Sequence, residues 1–313
     1  MSDRIQWPEG KEFAFTVFDD CDSQTLDNVP PVYAFLADLG LRITKSLWVF
    51  PASETEVAKN PGATCDNRAY LDWTLELQDQ GFEIGLHNVS CATSQREQTS
   101  RGIERFRELF GHYPYVAANH TGCREGIYWG DYRLTGLHQA FYNLLTRNRN
   151  KGVHQGHIEG SDLFWGDICK EKVKYVRNFV FGRVNTLGAC PYMPYHDPDR
   201  PHVNYWFASS EGPEIGSFNA TICERNQDRL AAEGGACTMY THFAKGFAED
   251  GGLEARFKSL MRRLSDMNGW FVPVGTLLDH LMEAKGAHQL TGRERKRLER
   301  RWFLHRFKTG GST

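Results

Sequence analysis

Thr16-Val17-Phe18-Asp19-Asp20-Cys21-Asp22 is the stretch whose reading decides the fold. Together with Phe13-Ala14-Phe15 just upstream it makes a run of aromatic and β-branched residues that reads as a strand buried on both faces, ending in a cluster of carboxylates. The same pattern recurs downstream. Ile43 to Phe50, Glu83 to His87 and Tyr113 to His120 read as strands, each followed by a polar turn and a helix-like segment. Between two of these, Thr99 to Phe110 spaces Ile103, Phe106, Leu109 and Phe110 at helical intervals, and Gly111 ends the helix. Strands that alternate with helices in this way predict an α/β fold with parallel strands.

Alternation returns later in the chain. Val203 to Ser209, Ala236 to Phe243 and Trp270 to Val274 read as strands, and Cys223 to Ala232, Leu253 to Met267 and Thr276 to Ala284 as helices. About seven strand–helix steps result, which predicts an incomplete or distorted (β/α) barrel. Residues from about 121 to 200 are less regular: a helix holds Leu137, Phe141, Leu144 and Leu145, and a glycine-rich, aromatic-rich stretch follows. This region is expected to be an irregular insertion in a barrel domain spanning 1–285, with 286–313 as a basic amphipathic extension.

A chain of 313 residues with 40% hydrophobic content can bury one large core. Its formal net charge of −2 argues against nucleic acid as a partner. The N-terminal Met1 to Pro8 has no apolar stretch long enough for a signal peptide, so a soluble, cytoplasmic protein is expected. The eight cysteines form no CxxC pair, which favours reduced thiols.

In parallel α/β folds, chemistry gathers at the C-terminal ends of the strands. Asp19 and Asp20 end the first strand here, His87 the third, His120 the fourth and His242 a late one. Two histidines and a carboxylate leave open positions on a divalent ion, which then lowers the pKa of a bound water. A second carboxylate can take that water's proton, and a further histidine can protonate a leaving nitrogen. Any one of these residues could merely cap a helix or satisfy a loop; their joint placement at separate strand ends favours a site.

Phe18-Asp19-Asp20, His87 after Glu83-Ile84-Gly85, the late Tyr240-Thr241-His242 and the closing Gly269 to Leu278 resemble the polysaccharide-deacetylase family, also called NodB-homology or carbohydrate esterase family 4. The resemblance spans most of Phe13 to Ala284. It implies a distorted barrel with Asp19 as general base, Asp20 and His87 as metal ligands, His242 as general acid, and a divalent ion, zinc above others, as cofactor. The family's second histidine stands four residues after the first, where this chain has Cys91. His120 from the neighbouring strand end is the preferred third ligand, with a Cys91 thiolate as the alternative. The arginine that the family places after its fourth strand is missing from Ala118-Asn119-His120-Thr121-Gly122, and Arg124 is the nearby substitute.

Aromatic faces hold carbohydrate, so Tyr192, Tyr195 and Trp206 are expected substrate contacts, with a backbone N–H near Tyr192 as an oxyanion donor. The expected reaction is removal of an N-acetyl or N-formyl group from a cytosolic sugar or glycan precursor. A non-catalytic carbohydrate-binding or scaffold protein and a cyclic imide or ureide hydrolase stand as alternatives. Eight basic residues between Arg293 and Lys308, interleaved with Leu298, Trp302, Phe303, Leu304 and Phe307, read as a basic amphipathic helix. Docking onto the barrel, peripheral membrane contact through 293–308 and self-association are the readings it leaves open.

Overall fold

The computed structural model describes residues 5–53, 57–249 and 252–309, with 307–309 as backbone only. Met1 to Arg4 and the side chains of Phe307 and Lys308 in the basic run lie outside the described residues. Seven parallel strands close into a ring: β1 (Phe13–Asp19), β2 (Thr44–Leu47), β3 (Glu83–Leu86), β4 (Val116–Ala117), β5 (Tyr175–Phe181), β6 (Tyr205–Glu211) and β7 (Ala236–Thr241). Each pairs with the next, and β7 returns to β1, where Ala14 to Asp19 lie opposite Ala236 to Thr241.

The ring is distorted at one edge of β1. A short strand, Gly269–Phe271, pairs with its first half, while β2 pairs only with Phe18 and Asp19 at its end. Helices α1 (Pro30–Asp38), α2 (Arg68–Asp79) and α3 (Arg96–Phe110) follow the first three strands. Asn67 caps α2 by accepting the Tyr70 N–H, and Gly111, at φ 80°, closes α3.

Side-chain alternation along β1 sorts its residues between two apolar layers. Phe13, Phe15 and Val17 pack outward with Val32, Tyr33 and Leu36 of α1, whereas Ala14 and Phe18 pack with Leu86, Ala117 and Phe207 from the other strands. This parity fixes the directions of the acidic residues that follow.

The stretch read from sequence as irregular also supplies β5, whose seven residues are all buried. It was hard to read because Arg177 and Asn178 interrupt Tyr-Val-Arg-Asn-Phe-Val-Phe, and a buried arginine is rare without a task. The helix Gly136–Leu145 forms as expected but turns Leu137 and Leu144 to solvent.

The C-terminal helix (Gly292–Thr309) docks on the barrel. Leu298 and Trp302 are fully buried, and the Trp302 ring lies 5.9 Å from that of Phe179 on β5. Arg295 donates to Asp197 at 2.5 and 3.0 Å and pairs with Asp199, while Glu299 accepts from Thr135 at 2.9 Å and bonds His138 at 2.7 Å. Arg293, Lys296, Arg297 and Arg300 remain on the exposed side. No helix among the described residues is long and apolar enough to cross a membrane.

Candidate metal centre

At the C-terminal ends of the strands, one carboxylate is surrounded by three imidazoles. Asp22 lies 3.2 Å from His87 Nε2, 3.3 Å from His120 Nε2 and 3.6 Å from His242 Nε2. The three histidines come from residues just after β3, β4 and β7, so the closed ring is what brings them together. Asp22, His87, His120 and His242 are all buried.

Backbone contacts orient these rings. His87 Nδ1 lies 3.2 Å from the Ala118 carbonyl, which takes the N–H of that nitrogen and leaves Nε2 free to face Asp22. His242 is fixed likewise by the Pro213 carbonyl, 2.6 Å from its Nδ1. Asn88, held at φ 57°, accepts the His120 backbone N–H at 2.7 Å and donates to Glu125 at 3.0 Å. The residue after one histidine thereby positions the next.

Asp20 sits beside this group with a different partner. Arg177 of β5 grips it in a two-pronged ion pair, Nη1 to Oδ1 at 2.8 Å and Nη2 to Oδ2 at 2.6 Å. Asp20 Oδ2 is 3.6 Å from His87 Nε2. Two sets of ligand atoms here are close enough to share one ion: Asp22, His87 and His120, and Asp20, Asp22 and His242.

The chemistry of the first set fits a divalent metal. His120 Nε2 is buried and, although 3.3 Å from Asp22, makes no aligned hydrogen bond, a state that an imidazole avoids unless something else takes its lone pair. Burial alone would push Asp22 up, yet the His120 and His87 imidazoles beside it hold it well below the ordinary carboxylate range. Burial lowers His120 and His242, keeping their Nε2 atoms available as acceptors, whereas the Asp20 and Asp22 charges outweigh burial at His87 and raise it.

Several sequence expectations change with this geometry. Asp19 is turned away from the histidines: it follows the odd-numbered, outward side of β1 and accepts from Tyr33 Oη at 2.6 Å, Gln24 Nε2 at 2.6 Å and the Phe243 N–H at 2.8 Å. Burial raises it to about 7. Asp20, expected as a ligand, belongs to the second ligand set and is also gripped by Arg177, while Asp22, which the sequence reading did not single out, is common to both sets. Cys91 packs with Cys21 and Trp48 and belongs to neither ligand set.

Arg124 is exposed, with its backbone N–H on Thr93; the buried arginine that orients a carboxylate is Arg177. Tyr195 and Trp206 are core residues, paired where a short antiparallel strand meets the N-terminal end of β6, and Tyr192 stacks on His288 at 5.1 Å. None of the three reaches the cluster, because β6 runs from that end towards the mouth. The residues that sequence reading missed are Asp22 and Arg177. Strand parity puts Asp20 and not Asp19 on the inward side with Phe18, whereas Asp22 lies in the turn beyond the strand, where no periodicity marks it.

No protein-family model matches the sequence, and no curated protein matches it. Solved structures do. The chain is similar to a Mycobacterium smegmatis protein classed as a polysaccharide deacetylase, with TM-score 0.53 and 12% identity over 93% of this chain and 97% of the other. A Pseudomonas aeruginosa PAO1 protein of the same class gives TM-score 0.52 and 12% identity over 90% and 95%. The Puue allantoinase gives TM-score 0.50 and 12% identity over 91% and 95%. The Phe18-Asp19-Asp20 start, the closed ring of seven parallel strands and these likenesses agree: the chain has the polysaccharide-deacetylase, or NodB-homology, fold in a divergent form.

Proposed function

We propose that the chain is a metal-dependent amide hydrolase whose ion is held by Asp22, His87 and His120. The observation that carries this reading is the Asp22 carboxylate ringed by three imidazole Nε2 atoms, one of them buried without an aligned hydrogen bond. A bound divalent ion would lower the pKa of water and polarise the amide carbonyl. Zinc suits two imidazoles and one carboxylate.

The remaining residues handle protons. Asp20, aligned by Arg177, is the acceptor for the attacking water, in the role the sequence suggested for Asp19. His242, its Nδ1–H fixed on the Pro213 carbonyl, is neutral at rest; its Nε2 takes a proton from the site and passes it to the leaving nitrogen. A binding protein would need neither the Asp20–Arg177 clamp nor a third imidazole, which disfavours the scaffold reading.

For the substrate we propose an N-acetyl or N-formyl group on a sugar or glycan precursor, supported by the fold. The enclosure of the site, with Asp20, Asp22, His87 and His120 all 3% exposed or less, favours a small molecule over a polymer and keeps a cyclic ureide as the second reading. Elemental analysis of protein purified without added metal or chelator tests the centre, on wild type beside His120→Ala and Cys91→Ala. One equivalent of a divalent metal lost in His120→Ala alone is expected. Loss in Cys91→Ala alone, or no metal after reconstitution, would reject it. Release of acetate, formate or a ureide product from a substrate panel then ranks the two classes.

A further inference from the structure

Three arginines, Arg133, Arg177 and Arg306, gather where the C-terminal helix meets the barrel, and among the described residues only Arg177 forms an ion pair with a carboxylate. Arg133 is buried, with its guanidinium stacked between the indoles of Trp129 at 4.0 Å and Trp302 at 4.6 Å. Its Nε and Nη1 donate to nothing, and among the described residues no carboxylate forms an ion pair with it. The neighbouring charges acting on it are two further cations, Arg306 and Arg177, which with burial depress its pKa; the Tyr142 hydroxyl is its polar neighbour.

The same region holds other idle donors. Arg306 reaches back from the C-terminal helix over Trp302 at 5.4 Å, and its Nη1 is buried and unpartnered. Its nearest acid, Glu211, is already engaged by His305. Trp302 Nε1 and Arg177 Nε are also buried without acceptors. A protein that places like charges together, desolvates them and leaves their N–H groups unused is built to receive an acceptor that carries negative charge. Two indoles against one guanidinium hold it in place, which suits donation from its free edge to an oxyanion.

We infer that Arg133 and Arg306, with Trp302 Nε1, form an oxyanion-binding pocket that receives a phosphate or carboxylate group of the substrate. Arg177 joins this pocket to the metal centre, since its other edge grips Asp20. The word substrate rests on the hydrolase reading above; binding of the anion does not. The arrangement narrows the substrate class to small amides that carry an acidic group, and it gives the C-terminal helix a share in recognition.

Calorimetric titration of inorganic phosphate, and separately of acetate, into the metal-loaded protein at fixed ionic strength tests the pocket. Wild type is expected to bind at least one of them saturably at one site, with affinity roughly tenfold or more weaker in Arg133→Met and in Arg306→Met. Arg68→Met, on the exposed face of α2, is the control and leaves it unchanged. Phosphate alone points to a phosphorylated substrate, and acetate to a carboxylate. Without anion, Arg133→Met should unfold at the same denaturant concentration as wild type or a higher one, because it removes an uncompensated buried charge. No saturable binding of either anion, or full affinity in both variants, would overturn the inference. Metal content measured on the same samples keeps the two proposals apart: wild type that binds anion but no metal sinks only the hydrolase.

Discussion

Asp19 and Asp22 stand three residues apart, and the molecule treats them in opposite ways. Asp19 lies among Tyr33, Gln24 and the Phe243 N–H, with Lys45 nearby on Gln24 and Tyr70, in a closed polar nest between the strands and the helices. Asp22 lies among three histidines on the other side of the sheet. Burial wins at Asp19 and raises it to about 7; the imidazoles win at Asp22 and lower it. A carboxylate's chemistry here follows from the partners the backbone turns it towards, not from its place in a short motif.

The largest contrast should come from Asp22→Asn beside Asp20→Asn. Replacing Asp22 is expected to weaken metal binding by roughly 100-fold or more, read by competition with a chromogenic chelator, and to abolish turnover with it. Asp20→Asn should keep the metal and lower kcat by roughly 100-fold or more. Equal metal loss in both would erase the distinction between ligand and base.

Asp19→Asn should sharpen the contrast through stability. The folded carboxyl titrates at about 7 against an unfolded value of 3.8, so the folded state holds its proton more tightly. Its contribution is therefore fully present below about pH 4 and lost as pH rises through about 7. Relative to Asp19→Asn, wild type should lose stability on the order of a few kcal/mol as pH rises from about 4 to about 8, with metal content unchanged in both. Urea unfolding at a series of pH values reads this directly. A margin that grows with pH would show that Asp19 is buried as an anion.

The smallest effect belongs to Arg124→Ala. Its side chain is exposed, so stability should move by no more than about 0.5 kcal/mol and turnover should not change, measured beside a damaged Arg177→Met.

Much of this was legible in the residues. Apolar runs and their spacing marked β1, β3 and α3, and the meeting of His87, His120 and His242 followed from strand ends in a parallel fold. Asp22 was overlooked because the motif drew attention to adjacent acids, although Phe13, Phe15 and Val17 already define an outward side to which Asp19 belongs. Arg177 was hidden for a different reason. A charged residue in mid-strand weakens the very hydrophobic pattern by which strands are found, so the position that matters most to the site made β5 the hardest to see. Tyr195 and Trp206 show the converse: aromatic loops read as sugar platforms can be core packing.

The seam that closes the barrel divides labour along the chain. Asp22, His87 and His120 all come from the first 120 residues, whereas Arg177 and His242 come from the remainder, joined to β1 by bonds such as Phe243 N–H to Asp19. Contacts of such wide sequence separation carry a large loop-closure entropy cost. The three candidate ligands and the proposed base Asp20 thus come from one half of the polypeptide, the arginine that aligns Asp20 and the proposed acid His242 from the other, and Asp19 is the rivet between them. A molecule with an open seam would keep Asp20, Asp22, His87 and His120 yet lack Arg177 and His242, so the site is whole only when the ring is.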